Sequence, residues 1–302
     1  MKLGISCRGI IKHLGHERAF SLIRESGFDA VDLWMGGVYG NRENPSDIYN
    51  ASADEFEAHF TQIRKLAQNA GIEIASTHGR AATYTNDEAQ CEYIRWVSER
   101  DLAATRILGA PTCVIHPVVM NYWSDRFWDK DFLLEINTGM YRDLLPFAEK
   151  HGVKIGLESM GKIMLNGEKH LSFFGCSGDI QRQLELLNSP CATVCVDTGH
   201  TNEAHFLGAP SPADMIRALG KNVTVLHLHD NNGTADLHLP PICDRRGCVN
   251  WPDVFDALDE VGYSGVYNFE LLWNCFGGIL EDTVRFRGKF LRYLIENKGR
   301  IY

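Results

Sequence analysis

The sequence predicts a (β/α)8 TIM barrel of the α/β class, and three observations predict it. Eight short apolar runs of strand character recur along the 302 residues. Longer runs of helical period separate them, the pattern of repeated βα units. The last four strand runs each end in an acid or an imidazole: Glu158 in KIGLES, Asp197 in TVCVDTGH, His227 in VTVLHLHD and Glu270 in VYNFEL. Parallel barrels gather their chemistry at the carboxyl ends of their strands, so these four side chains are expected to converge at one mouth.

The elements follow in order. Lys2–Ser6 is the first strand, and its successor Cys-Arg-Gly-Ile lacks the GxGxxG turn that would open a doubly wound nucleotide fold. A helical pattern over Glu17–Ser26 stops at Gly27, and Ala30–Trp34 is the second strand. Ser52-Ala-Asp-Glu55 has the spacing of a capping box, opening a helix over Ala53–Ala70. Strand Glu73–His78, helix Asp87–Leu108 and strand Thr112–His116 come next, then helix Phe132–Lys150 and strand Lys154–Ser159. The last three units are helix Ile180–Leu187 with strand Thr193–Asp197, helix Ala213–Leu219 with strand Val223–His229, and helix Trp251–Val261 with strand Val266–Leu271. Leu280–Glu296 is the closing helix. Gly71, Gly109, Gly152, Gly220 and Gly262, like Gly27, stand just past helical runs, where a left-handed cap calls for glycine. No linker or low-complexity stretch interrupts this alternation, so residues 1–302 are expected to form one domain.

Composition bounds the function. A hydrophobic fraction of 44% supplies a core, and a net charge of −9 disfavours a surface that coats nucleic acid. Nine scattered cysteines without a CxxC pair suit a reducing compartment. The start MKLGISCRGI has no basic segment leading into a long apolar one, and no run of about 18 apolar residues follows. A cytoplasmic protein without a membrane span is the expectation.

Three carboxylates and one imidazole around a point make a divalent-metal site suited to Mn²⁺, with Co²⁺ or Zn²⁺ as alternatives. Any one carboxylate could instead pair with a base or cap a helix. Several buried together at a barrel mouth need a cation. Around them stand accessory groups: His200, three residues after Asp197; His78 and His116, ending strands three and four; His229, on the same side of its strand as His227 and thus a rival ligand or a neighbour; and the pair Asp236-x-His238 in the next loop. Three long loops, 117–131, 160–176 and 230–250, fall on the same face, where loops form substrate walls or lids. Trp34, Tyr122, Trp123, Trp128 and Trp273 are the aromatic candidates for those walls.

The set Glu158, Asp197-x-x-His200, His227-x-x-Asp230 and Glu270 resembles the xylose isomerase-like superfamily of sugar isomerases and epimerases over nearly the whole chain. The resemblance implies that Glu158, Asp197, His227 and Glu270 hold one Mn²⁺, Co²⁺ or similar ion. It implies that Glu158 and Glu270 are the catalytic acid and base, and that His200 orients substrate. The implied reaction is isomerisation or epimerisation of a ketose, keto-sugar or cyclitol: a proton next to a carbonyl is abstracted through a metal-stabilised enediolate. His78, His116, His229, Asp236, His238, Trp34 and Trp273 complete the expected substrate-binding set. Ketose 3-epimerases carry an arginine six residues after the metal histidine, where this chain has Gly233; Arg245 and Arg246 in the loop are the candidates to replace it. No phosphate cradle opens a helix after the last strands, which favours an unphosphorylated substrate.

Two relatives give alternatives. Endonuclease IV binds three zinc ions through residues matching His78, His116, Glu158, Asp197, His200, His227, Asp236, His238 and Glu270, although its usual Asp-Thr-Cys-His is Asp-Thr-Gly-His here. Metal-dependent lyases that cleave C-glycosides of 3-oxo-sugars resemble the same set. The expected partner is a small-molecule sugar or cyclitol, with neither membrane nor nucleic acid; a homo-oligomer is compatible with the relatives' habits.

Overall fold

The computed structural model describes residues 1–35, 48–81, 83–120, 129–242, 246–272 and 277–300. Ten strands and nine α-helices alternate through the described residues. The strands are β1 (Lys2–Ser6), β2 (Ala30–Trp34), β3 (Glu73–His78), β4 (Thr112–Ile115), β5 (Lys154–Glu158), β6 (Lys162–Leu165), β7 (Glu168–Leu171), β8 (Ala192–Asp197), β9 (Val223–His227) and β10 (Val266–Phe269). The helices are α1 (Arg8–Glu25), α2 (Ala53–Ala70), α3 (Glu88–Leu108), α4 (Lys130–His151), α5 (Ser177–Leu187), α6 (Thr198–His205), α7 (Pro212–Leu219), α8 (Trp251–Glu260) and α9 (Leu280–Glu296).

Eight strands pair in parallel in the order β10-β1-β2-β3-β4-β5-β8-β9. Leu228 N donates to Asn268 O at 2.8 Å and Glu270 N donates to Leu228 O at 3.0 Å, joining β9 to β10 and bringing the ends of the sheet together. The architecture is a (β/α)8 barrel. Its strands read as near-continuous apolar runs because helices cover their outer faces. Between strands and helices lies a core that includes Phe20, Phe60, Tyr141, Leu157, Phe255 and Leu291, all buried. A small separate cluster of Val114, Cys195 and Val225 is buried apart from it. By strand alternation these three share a side with His116, Asp197 and His227, one layer beneath them inside the barrel.

The local chemistry explains most boundaries. Ser52 Oγ accepts from Glu55 N at 3.3 Å while Ser52 N donates to Glu55 Oε2 at 3.1 Å, so the capping box opens α2 as its spacing predicts. Gly71, Gly109 and Gly152 cap α2, α3 and α4 in the left-handed conformation. At Gly220 the backbone is positive in φ but has ψ −130°, so this one is not a left-handed helical cap.

Four features differ from expectation. Helical backbone after β1 starts at Arg8, before the predicted Glu17, and breaks at Gly15 with φ 71° and ψ 170°. The helix α6 does not declare itself in the sequence, because Thr198, Gly199, Thr201, Asn202, Glu203 and Ala204 are all buried and leave no amphipathic period. Strands four, five, seven and eight stop one or two residues earlier than predicted, which leaves His116, Ser159, His229 and Glu270 just beyond the ladder. The loop 160–176 contains the antiparallel hairpin β6–β7. Lys162 on that hairpin pairs with the buried Glu203 on α6, tying the excursion to the barrel.

Candidate metal centre

Trp34, His78, Glu158, Asp197 and His227 are the last residues of β2, β3, β5, β8 and β9, and His116 and Glu270 stand one residue past β4 and β10. Parallel strands of matched register deliver all seven to one rim. Glu158, Asp197, His227 and Glu270 each present a ligand atom within 4.8 Å of the others, and all four are buried. His227 Nδ1 is the meeting point, 2.9 Å from Glu158 Oε1 and 3.2 Å from Glu270 Oε2.

Two further groups adjoin this one. His116 Nε2 lies 2.8 Å and His78 Nε2 3.3 Å from Glu158 Oε2, so Glu158 is shared between groups. Neither imidazole is aligned to give that oxygen a hydrogen bond. On the other side His229, Asp236 and His238 form a third group. His229 Nε2 lies 3.0 Å from Asp197 Oδ1, so Asp197 is shared as well. His200 sits between the groups, with Nε2 3.7 Å from Asp236 Oδ2 and Nδ1 3.7 Å from both Glu158 Oε1 and Asp197 Oδ1.

Secondary structure fixes these side chains. Asp197 caps α6, accepting from His200 N at 2.6 Å, so one carboxylate both starts the helix and meets His229 Nε2 with its other oxygen, at 3.1 Å. Thr198 Oγ1 accepts from His229 N at 3.0 Å and donates to His229 O at 2.9 Å, locking α6 to the strand end. A β-carbon at Gly199 would fall 1.8 Å from the His229 ring, so only glycine allows that approach. His238 takes a positive φ of 45°, donates from Nδ1 to Glu270 O at 2.9 Å and holds Asp236 Oδ2 with Nε2 at 3.1 Å. With both ring nitrogens facing acceptors, His238 is an imidazolium in this arrangement.

Electrostatics report the same crowding. Burial drives Glu158 upward, but His116 and His227 outweigh it and hold the carboxyl well below its usual range. Asp197 is likewise lowered, against burial, by His200 and His229. His227 is pushed well above its ordinary value although burial opposes this. Cys195 faces it too, but burial keeps that thiol neutral, so Glu158 and Glu270 carry the effect. In effect, protons on the imidazoles balance the carboxylates. A divalent cation would do so better: oxygen and imidazole donors converge, and a fully buried carboxylate oxygen lacks a hydrogen bond.

The structure brings together His78, His116, Glu158, Asp197, His200, His227, His229, Asp236, His238 and Glu270. Trp34 lies against them, its ring stacked on His78 at 4.3 Å. Arg245, Trp273, Tyr122, Trp123 and Trp128 lie outside the described residues. Arg246 is exposed. Sequence reading missed several supports. Ser159 accepts from Asp197 N with Oγ at 2.9 Å and from His200 Nδ1 with its carbonyl at 3.1 Å. Asp230 accepts from Asn231 N, Cys248 N, Val249 N and Trp251 Nε1 at 2.8 to 3.1 Å, pinning both ends of the loop that carries Asp236 and His238. The motif His227-x-x-Asp230 named this acid but not the loop it holds.

Comparison with known proteins agrees with this fold. A family model described as xylose isomerase-like TIM barrel matches residues 20–286. An uncharacterized protein of Sinorhizobium fredii is 24% identical over 278 residues, which is 85% of this chain and 81% of that protein. An uncharacterized protein of Methanocaldococcus jannaschii is 29% identical over 169 residues, 54% of this chain and only about half, 51%, of its own length. Among solved structures, a D-tagatose 3-epimerase-like protein superimposes with TM-score 0.69 at 20% identity, covering 99% of both chains. An IolI protein with a bound zinc atom gives TM-score 0.74 at 16% identity over 100% of both chains. The 3-keto-D-glucoside 4-epimerase of E. coli gives 0.67 at 14% identity, covering 92% of this chain and 94% of that one. At such identities the likeness establishes the fold.

Proposed function

The chain belongs to the xylose isomerase-like TIM-barrel family, and from that premise we propose that it is a divalent-metal-dependent isomerase or epimerase of a ketose, keto-sugar or cyclitol. The observation that carries the reading is the buried four-donor group of Glu158, Asp197, His227 and Glu270 at the carboxyl rim. These residues would hold one ion, Mn²⁺ by the preference of carboxylate-rich sites. A cation held there supplies positive charge that stabilises an oxyanion developing on the substrate.

The chain's residues do the rest. Glu158 and Glu270 enter from β5 and from beyond β10, and both reach His227 Nδ1, so they flank a common volume. One takes the proton next to the carbonyl and the other returns one, at the opposite face or the neighbouring carbon. His200, beside Asp197 and Asp236, is a proton-bearing donor for a substrate hydroxyl, and burial around Glu158 excludes competing water. The epimerases among the structural neighbours support this class of reaction. No described helix is long and apolar enough to cross a membrane.

The test is deuterium exchange. The metal-loaded enzyme is incubated in D₂O with D-fructose, D-tagatose, a 3-keto-glucoside, an inosose, D-galacturonate and D-fructose 6-phosphate. NMR should show deuterium next to the carbonyl of at least one, and Glu270→Gln should abolish it; no exchange with any would sink the reading. A second reading rests on the flanking groups, His78–His116–Glu158 and His229–Asp236–His238. A three-ion phosphodiester hydrolase would use both, and close to three zinc ions per purified chain with cleavage of abasic-site DNA would establish it.

A further inference from the structure

Arg8, the first residue of α1 after β1, is exposed on the rim of the proposed active site. Its guanidinium lies 4.5 Å above the Trp34 ring. Trp34 stacks in turn on His78 at 4.3 Å with the planes 9° apart, and His78 stacks on His227 at 5.3 Å. A column of four flat groups therefore runs from the metal centre outward and ends in a cation. Among the described residues Arg8 has neither a hydrogen bond nor an ion pair; the indole contact is its one recorded interaction. The indole Nε1 of Trp34, shielded from solvent, has no hydrogen-bond acceptor among the described residues either. Arg100, far from the centre, likewise stacks on Phe56 and Trp96 without a carboxylate, so it is the place of Arg8, at the rim of a carboxylate-rich centre, that distinguishes it.

We propose that Arg8, oriented by Trp34, is a subsite for an anionic group, a carboxylate or a phosphate, at the end of the substrate farthest from the metal-held carbonyl. The stack uses the face of the guanidinium and leaves its in-plane N–H donors free, in the fork geometry that takes a carboxylate or phosphate bidentately. From His78, which touches Glu158, to Arg8 the column is two stacking steps long, which suits a short sugar chain reaching from Glu158 to the rim. Arginine in place of lysine matters for the same reason, because a point-charge ammonium neither stacks as flatly nor fixes an orientation. This assignment rests on the proposed sugar-enzyme reading and narrows it to acidic or phosphorylated sugars.

Binding, read by calorimetry on the Mn²⁺-loaded protein, tests it without requiring turnover. The probes are D-galacturonate and D-fructose 6-phosphate, each against its neutral counterpart, D-galactose and D-fructose. At least one anion should bind about tenfold or more tightly than its counterpart, with an advantage that shrinks as salt rises. Arg8→Gln should remove that advantage and Arg8→Lys should keep part of it; which anion prefers the wild type tells carboxylate from phosphate. Equal binding of charged and neutral partners, absence of binding by all four included, would overturn the proposal, and so would an advantage that survives Arg8→Gln. Anion binding that depends on Arg8 alongside failed deuterium exchange would remove the isomerase reading and leave the subsite standing.

Discussion

Glu158→Gln separates a metal centre from a mere cluster of ionised groups. Glu158 is shared between the central group and the histidine pair, touching His227 through Oε1 and His116 and His78 through Oε2. A ligand that binds only the folded state at a thousandfold excess over its Kd stabilises by about 4 kcal/mol. Unfolding entropy of about 2.1 cal/mol/K per residue over 302 residues comes to roughly 0.6 kcal/mol/K. Saturating Mn²⁺ should therefore raise the wild-type melting temperature by about 6 °C over the chelator-treated protein. The amide keeps the shape of the side chain but removes its charge, and a hundredfold or greater loss of affinity would cut the rise to about 2 °C or less. Without metal, the variant should melt about 3 to 6 °C lower near neutral pH, because buried imidazolium partners lose their anion, a loss of about 2 to 4 kcal/mol. The sign follows from the depressed folded-state value of Glu158: its contribution is present above the unfolded carboxylate range and disappears as pH falls through the folded value. Scanning calorimetry with Mn²⁺ and with chelator reads both numbers, and Asp236→Asn, altered in the outer group only, is the comparison. An undiminished metal shift in Glu158→Gln, with loss in Asp236→Asn, would refute the assignment.

Three other substitutions probe the supports. Burial draws His238 down, but Asp236 and Glu270 outweigh it and push it up to about 9 from an unfolded value of 6.5. Its contribution, about 3 kcal/mol by linkage, is complete below pH 6.5 and fades as pH climbs toward 9; His238→Asn should flatten that decline in the metal-free protein's melting curve. Gly199→Ala would place a β-carbon 1.8 Å from the His229 ring. The ring must give way, so a loss of about 2 kcal/mol or more and weaker metal binding are expected, and a variant indistinguishable from wild type would show the approach is not tight. Lys162→Met leaves Glu203 buried without its partner, a cost of about 3 kcal/mol that should loosen the β6–β7 hairpin. Limited proteolysis reads this one, with cutting between residues 162 and 171 expected to quicken.

The strand ends carried the legible information. A parallel strand covered by helices must be apolar throughout, so an acid or imidazole at its carboxyl end stands out; Glu158, Asp197, His227 and Glu270 were readable for that reason. The rim helix α6 was not readable, since a short buried helix has no amphipathic period to show. Nor were Ser159 and Thr198, whose polar side chains look like ordinary loop residues until the barrel brings their partners to them, and Asp230, though part of the motif, showed nothing of the loop it anchors. Asp32, buried beneath the centre and bonded by Ser76 at 2.6 Å, was passed over as one acid within an apolar strand.

By itself, then, the sequence determined the alternation of strands and helices and the list of donors that end the strands, because period and residue type are local properties of the chain. Only the tertiary structure decided how those donors divide: Glu158 shared between two groups, Asp197 between capping, His229 and the centre, and Arg8 drawn into a stack with Trp34 and His78. Residues 8, 34, 78 and 227 are far apart along the chain, and spacing carries no information about which of them touch. Register around a closed barrel does, because it fixes which strand ends stand side by side.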